Sequence, residues 1–221
     1  MKKLLRTKLA YDATYKSGYD KSYPSIELVR LEKIFFKEKG KILDFGCGPG
    51  LNGLHFLKKK YNVTFCDISG EALKKVKQKL KKSRVKSNFK IVNFSKNKKF
   101  FKKKTSYFDY IICFSVFNNF GNKNNAVKYI KFFNKILKKE GKLIIDSNLK
   151  NKHNYKLINK NKNLYTTHPK NNFILEMFFP SKDKFIEIIK KNGFEINDIG
   201  RAMFKIFDTF EDEIIISATK K

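Results

Sequence analysis

Ile42-Leu43-Asp44-Phe45-Gly46-Cys47-Gly48-Pro49-Gly50 is the stretch that decides the class of fold. It reads as a buried strand ending in an acid, then a glycine-rich turn, then a helix beginning near Leu51. Glycines let the backbone turn sharply there and let a ligand lie against it where a Cβ would intrude. The helix that follows points its unpaired N–H groups back at the same spot. Asp44 adds a fixed negative charge beside the turn, which suits a ligand carrying a cation and separates this loop from an ordinary phosphate cradle.

Two glycine patterns overlap in the loop. Asp-x-Gly-x-Gly-x-Gly falls on Asp44, Gly46, Gly48 and Gly50, and the dinucleotide pattern Gly-x-Gly-x-x-Gly falls on Gly48, Gly50 and Gly53. A dinucleotide fingerprint begins at the strand end, whereas Gly46 and Cys47 lie between Asp44 and Gly48. An acid at that strand end would repel a pyrophosphate, but it can accept the ammonium of an aminocarboxylate nucleoside. The pattern therefore favours S-adenosylmethionine over a nicotinamide dinucleotide.

Outward from this stretch, strands and helices alternate. Ser25 can cap a helix running to about residue 37, with Ile26, Val29 and Ile34 on one face. Residues 41–45 form the first strand, 51–60 a helix and 63–67 the second strand. Ser69 caps a helix over 71–82 that carries Leu73, Val76 and Leu80 at helical spacing. Strands follow at 89–92 and 107–114, then a helix at 126–138 closed by Gly141 and a fifth strand at 142–146. Ser181 or Asp183 starts a helix that ends at Asn192-Gly193, and 194–199 and 213–219 supply the last two strands. Alternation of this kind predicts an α/β Rossmann-like three-layer sandwich whose mostly parallel sheet is covered on both faces. Residues 201–212 hold no convincing helix, so the seventh and last strand is expected to be antiparallel. Two other segments stand out. Tyr11, Tyr15, Tyr19 and Tyr23, with Gly18 and Pro24, read as an aromatic, turn-rich lead-in, and residues 148–172 as a Lys/Asn-rich insertion with little regular structure. The expected division is a lead-in and helix at 1–40 covering the cofactor site and a main domain at 41–221, with 148–180 as an insertion or lid.

At 221 residues the chain can bury a substantial core, and 41% hydrophobic residues argue for a folded protein. No apolar run approaches the roughly 18 residues of a membrane span, and the basic start Met1-Lys2-Lys3-Leu4-Leu5-Arg6-Thr7 is not followed by a secretory apolar segment. Cys47, Cys66 and Cys113 lie in or beside strands, the pattern of reduced buried thiols, and His55, His153 and His168 have no metal-ligand spacing. A cytoplasmic protein without a metal, acting as a monomer or homodimer, is expected. The formal charge of +30 suggests a nucleic acid or an anionic membrane. Codon bias is the weightier reading, because Lys, Asn, Ile, Phe and Tyr dominate and arginine occurs only at Arg6, Arg30, Arg84 and Arg201. The lysines are also spread along the chain instead of being interleaved with aromatics in one patch.

Asp67 ends the second strand, where a carboxylate can accept two hydrogen bonds from a ribose diol, or can serve only as a turn residue. Asn93 and Phe94 follow the third strand. An amide oxygen there can accept from the exocyclic amine of adenine while Phe94 packs on the ring, unless the pair is a polar turn residue and a core side chain. Another register puts Ser95 in the polar role.

Together these residues resemble the class I S-adenosylmethionine-dependent methyltransferases, over nearly the whole chain. Tyr107-Phe108-Asp109-Tyr110-Ile111-Ile112-Cys113 looks like the fourth-strand motif, 136–145 like the turn into the fifth strand with Lys139 and Glu140 in place of Pro and Gly, and Gly193-Phe194-Glu195-Ile196 like the start of the sixth. Tyr15-Lys16-Ser17-Gly18, Tyr23-Pro24-Ser25 and Leu28-Val29-Arg30 are similar to the small-molecule branch. The resemblance implies S-adenosylmethionine as cofactor. Asp44, Gly46, Cys47 and Gly48 would hold its methionyl part, Asp67 its ribose with Ile68 beside it, and Asn93 and Phe94 its adenine, although the family more often has Asp at the Asn93 position. Tyr15 would lie over the cofactor, Arg30 would pair with a carboxylate, and the segment from Phe114 through Ser115 to Phe120 would face the donor methyl.

No residue is assigned as catalytic. The Asn-Pro-Pro-aromatic signature of amino methylation in nucleic acids is absent, as is a Pro-Cys nucleophile. Asn118 and Asn119 could orient a substrate, though loop asparagines are more often turn formers; His153 and His168 are conceivable bases if the insertion forms a lid. The expected reaction is an in-line displacement by an oxygen or nitrogen of a small or mid-sized acceptor. The alternatives are an RNA methyltransferase using the basic surface, a nicotinamide-dependent oxidoreductase, and a cofactor-binding protein without catalysis.

Overall fold

The computed structural model describes residues 2–85, 87–149, 156–159, 164–166, 174–206 and 209–221. Strand β1 (Lys41–Phe45) lies near the middle of a seven-stranded sheet. It pairs in parallel with β2 (Asn62–Asp67) on one side and β4 (Phe108–Cys113) on the other. Ile42 and Leu43 are fully buried on opposite faces, which is why this segment reads as a continuous apolar run. Strand β3 (Phe89–Asn93) pairs outside β2 and forms one edge. On the other flank, β5 (Leu137–Asn148) pairs with β4, and a hairpin of β9 (Phe194–Ile206) and β10 (Thr209–Lys220) completes the sheet. The order is β3-β2-β1-β4-β5-β10-β9. Strand β10 is antiparallel to both neighbours, as expected of a last strand reached without a crossover helix.

Helices cover both faces. On one, α2 (Ile26–Phe35), α3 (Leu51–Lys58) and α4 (Gly70–Ser83) bury Leu28, Leu57 and Val76 against Ile42, Phe65, Ile112 and Ile144. On the other, the short α5 (Lys98–Lys102), α6 (Lys123–Ile136) and α7 (Lys182–Lys190) bury Phe101, Phe133 and Phe185 against Leu43, Ile111, Ile145 and Ile216. Their caps explain where they start: Ser69, Asn122 and Ser181 accept from the N–H three residues on.

Four expectations need correction. Residues 11–23 are not a turn-rich lead-in from the start. Lys2–Lys16 is helix α1, and the chain turns only at Ser17 and Gly18, where φ reaches +99°. Tyr11 and Tyr15 lie one helical turn apart with their rings stacked at 6.3 Å, so their spacing marked a helix rather than a turn. The fifth strand begins at Leu137, not 142: Leu137 pairs with Phe108, and a bulge follows before Lys142 meets Tyr110. Burial of Leu137 beside Phe108 outweighs the helical periodicity that ran on to Lys138. The insertion is not without structure, since β6 (Lys156–Asn159), β7 (Leu164–Thr166) and β8 (Ile174–Glu176) form a small antiparallel sheet. Finally, β9 and β10 extend each other well past the expected 199 and 213, with the Arg201 guanidinium gripping both oxygens of Asp212 at 2.7 and 2.8 Å. Each strand supplies the other's hydrogen bonds there, so neither needed an apolar pattern.

Candidate functional site

The strand order reverses between β1 and β4, and the crevice at the C-terminal ends of strands flanking such a reversal is where an α/β sheet admits a ligand. The loop 46–50 crosses that crevice. Gly46 and Gly48 adopt φ of +69° and +52°, and a Cβ on Gly48 would stand 2.7 Å from the Tyr15 hydroxyl. The N–H groups of Gly46 and Cys47 both donate to the Cys66 carbonyl, at 2.7 and 3.0 Å, which ties the loop to β2.

Two carboxylates flank the loop. Asp44 pairs with Phe65, and Asp67, two residues further on, shares its face, so the acids lie on the same side of the sheet. Asp44 Oδ2 accepts from the Gly53 N–H at 2.8 Å. Asp67 accepts from Gly48 N–H at 2.9 Å with one oxygen and from Ser69 N–H at 2.7 Å with the other. Asp44 is 2% exposed. Burial, aided by the Asp67 charge, pushes its carboxyl up to about 7 against the Gly53 hydrogen bond. Burial likewise pushes Asp67 up to about 6, opposed by the Ser69, Gly48 and Ile68 N–H groups. Two buried acids of this kind favour a ligand that brings a positive charge. The half-buried Cys47 thiol is pushed well up, first by desolvation and then by the Asp44 and Asp67 charges, and stays neutral, so it is not poised as a nucleophile.

The structure adds a third acid that sequence reasoning passed over. Asp44 pairs with Ile112 and Ile112 with Ile144, which puts Asp146 on the same face beyond β4. Its Oδ1 accepts from the Ser115 N–H at 2.7 Å, and burial pushes it up to about 7. Positive charge on Lys21 opposes the rise at both Asp44 and Asp146. Asp146 was within reach of the sequence: Leu143-Ile144-Ile145-Asp146 is another apolar strand closed by an acid.

Helix α1 lies over this mouth. Asp12 Oδ1 accepts from the Ser69 hydroxyl at 2.6 Å and the Glu71 N–H at 3.3 Å, and the Tyr11 hydroxyl donates to Asn119 Oδ1 at 3.0 Å. The helix thereby bridges the loops after β2 and β4, with Tyr15 over Gly48 between them. Nothing in the sequence signals Asp12, whose partner Ser69 is 57 residues away.

The other expected residues fare unevenly. Asn93 stands next to Asp67 at the end of β3, donating to the Ile68 carbonyl at 3.2 Å. Its amide oxygen already accepts from the Ser95 hydroxyl at 2.7 Å and the Lys96 N–H at 3.1 Å, so the expected bond to an adenine amine would have to displace one of them. Phe94 packs its ring against Phe45, Phe101 and Phe132, the role of a core side chain. Arg30 is exposed on α2, away from any ion pair among the described residues. Ser115 is exposed with φ of +58°, held there by Asp146. Asn118 is buried and its amide is spent on Asn148 and Phe178 backbone groups, so it builds the loop and orients no substrate. His153 and His168 lie outside the described residues.

Known proteins share this fold. Residues 43–143 match the family model described as a methyltransferase domain. A Bacillus subtilis (strain 168) protein provisionally named methyltransferase YqeM is 31% identical over 110 residues, which is 49% of this chain and 42% of that protein. The chain thus spans less than half the length of this curated relative. A Methanosarcina mazei S-adenosylmethionine-dependent methyltransferase superposes with a TM-score of 0.70 at 21% identity, over 86% of this chain and 96% of that one. The Burkholderia thailandensis 1,6-didemethyltoxoflavin-N1-methyltransferase, solved with its substrate and S-adenosylhomocysteine, gives 0.70 at 16% identity over 99% of this chain and 88% of that one. At these identities the superpositions establish a shared fold.

Proposed function

We propose that the chain is a class I S-adenosylmethionine-dependent methyltransferase and that it transfers the methyl group of S-adenosylmethionine to an oxygen or nitrogen of a small or mid-sized acceptor. The observation that carries this reading is the pair Asp44 and Asp67, buried on one face beside a glycine loop. The residues fit the cofactor. Asp44 would take its ammonium and the loop 46–48 its aminocarboxylate backbone. Asp67 accepts the Gly48 N–H with one oxygen and the Ser69 N–H with the other, and a carboxylate has further acceptor capacity for the ribose hydroxyls. Ile68, Asn93 and Phe94 would border the adenine, with Tyr15 above the loop. Lys21 rather than Arg30 is favoured as the carboxylate partner, because its charge reaches the mouth.

The cofactor supplies an activated methyl group on a sulfonium, so the protein's part is positioning and desolvation. Asp44 and Asp67 fix one end of the ligand, Ser115 and Asp146 border the acceptor side, and α1 shields the mouth from water. Residues 1–40 act in this reading as the cover of the cofactor site, and the segment 148–180 as part of the acceptor side. Among the described residues no helix is long and apolar enough to cross a membrane. The free thiols of Cys47, Cys66 and Cys113 suit a cytoplasmic protein.

Titration calorimetry with S-adenosylmethionine tests the proposal. Wild-type protein should bind, and Asp44→Ala combined with Asp67→Ala should abolish binding. Absence of binding to the wild type, or unchanged binding to the double variant, removes the assignment.

A further inference from the structure

We propose that the edge strand β3, with the N-terminal rim of the sheet beside it, is a docking strip for single-stranded nucleic acid. In the sequence the lysines look scattered and separate from the aromatic residues. The fold interleaves them. Lys90 Nζ lies 5.9 Å from the Phe100 ring centroid, and Lys104 Nζ lies 5.6 Å from Phe100 and 3.8 Å from Tyr107. Lys41 Nζ also lies 4.4 Å from the Tyr107 ring centroid. Cations and rings therefore alternate from β3 to the start of β1, across segments far apart in the chain.

Two shallow cavities flank the edge strand. One, of about 390 Å³, is lined by Lys90, Ile91, Val92, Asn97 and Phe100. The other, of about 570 Å³ at the N-terminal ends of β2 and β3, contains Lys58, Lys60 and Arg84 among Asn and Ser side chains. Neither is lined by a carboxylate. Of the acids near this rim, Glu32 is held by Lys59 at 2.5 Å and Asp109 by Lys138 at 2.6 Å. Between the cavities, Phe89 leaves 43% of its surface exposed on the edge strand.

Each part has an ordinary explanation alone. Cations suit the last turns of α3 and α4, and a lysine on an edge strand blocks unwanted pairing. Neither explains an exposed phenylalanine set among cations and amides. A cationic groove tracking a phosphate backbone, with rings on which bases stack, is the chemistry of single-strand binding, and it is tolerant of sequence. The scarcity of arginine fits that tolerance, since bidentate base reading is not required. The first cavity runs along β3 as far as Asn97, but Lys58, Arg84, Phe89 and Lys90 lie at or before the N-terminal ends of β2 and β3, whereas the loop 46–50 follows the C-terminal end of β1, so this inference does not depend on the methyltransferase reading.

The test is fluorescence anisotropy with a labelled 16-nucleotide single-stranded RNA of mixed sequence, titrated between 50 and 300 mM KCl. K58E/R84E/K90E should lose at least tenfold in affinity, and its salt dependence should flatten by about 2 in log–log slope, from three contacts at about 0.7 each. K182E/K190E/K205E, with the same net charge change at the opposite edge, should lose less than threefold. Phe89→Ala, which alters no charge, should lose fivefold or more. Equal losses in the two triple variants would reduce the effect to net charge and overturn the proposal. So would wild-type binding by Phe89→Ala, or equal competition by phosphatidylserine vesicles at matched charge. Should the reversal triple not fold, Lys58→Gln with Lys90→Gln decides the question: the slope must flatten by about 1.4.

Discussion

Replacing Asp44 by asparagine should stabilise the ligand-free protein while weakening its hold on a cationic ligand. The Asp44 carboxyl rises from 3.8 to about 7 on folding, chiefly through burial. At about 1.36 kcal/mol per tenfold change in acidity, that rise gives an upper bound of about 4 kcal/mol for keeping the ionised form buried. Below pH ~4 the group is protonated in folded and unfolded chains alike, and its contribution is intact. Between that value and about 7 the unfolded chain releases the proton while the folded one retains it, so stability falls as pH rises and levels off above. Asparagine imitates the protonated form and can still accept the Gly53 N–H through its carbonyl. Urea unfolding followed by circular dichroism should therefore show the variant about 2–4 kcal/mol more stable than wild type at pH 8 and level with it near pH 4. Calorimetry at pH 8 should show S-adenosylhomocysteine binding weakened about 10- to 100-fold, from one lost charge-assisted hydrogen bond. A variant no more stable than wild type at pH 8, or a gap of equal size at both pH values, would refute the electrostatic account of the site.

Two further substitutions probe the loop and its cover. Gly48→Ala should destabilise the fold by about 1–2 kcal/mol, because the backbone is left-handed and the new methyl meets the Tyr15 hydroxyl at 2.7 Å; adding Tyr15→Phe should recover at least about 0.5 kcal/mol in a double-mutant cycle. Ser69→Ala removes both the cap on Ala72 N–H and the bond to Asp12. It should cost about 1–2 kcal/mol in urea unfolding and accelerate amide exchange in α1 while leaving α7 unchanged.

The legible parts of the fold share one property: their fate depends on neighbours in sequence. The run ending at Asp44, the run ending at Asp67, and the caps Ser69 and Ser181 carry their own apolar pattern and capping chemistry, and they fall where expected. Helix α1 was misread because much of its anchoring is distant: Ala10 is buried among Leu175 and Met177, and Asp12 meets Ser69. Leu137 joined a strand for a similar reason, since its partner Phe108 belongs to another element. In the site, Asp44, Asp67 and the glycines were readable because each ends a strand or relieves a turn. Asp146 obeyed the same rule and was overlooked. Asn118 looked available only because its partners, at Asn148 and Phe178, cannot be seen from a loop sequence.

By itself the sequence determined the alternation of strands and helices, the antiparallel last strand, and a glycine turn with an acid before it. All of these follow from short-range sterics and from the periodicity of apolar side chains. Only the tertiary structure decided that α1 closes over the mouth, that Asp146 joins Asp44 on one face, and that lysines and rings alternate along the rim. Those outcomes depend on strand register and on which loops approach one another through space, and neither is encoded within any single segment.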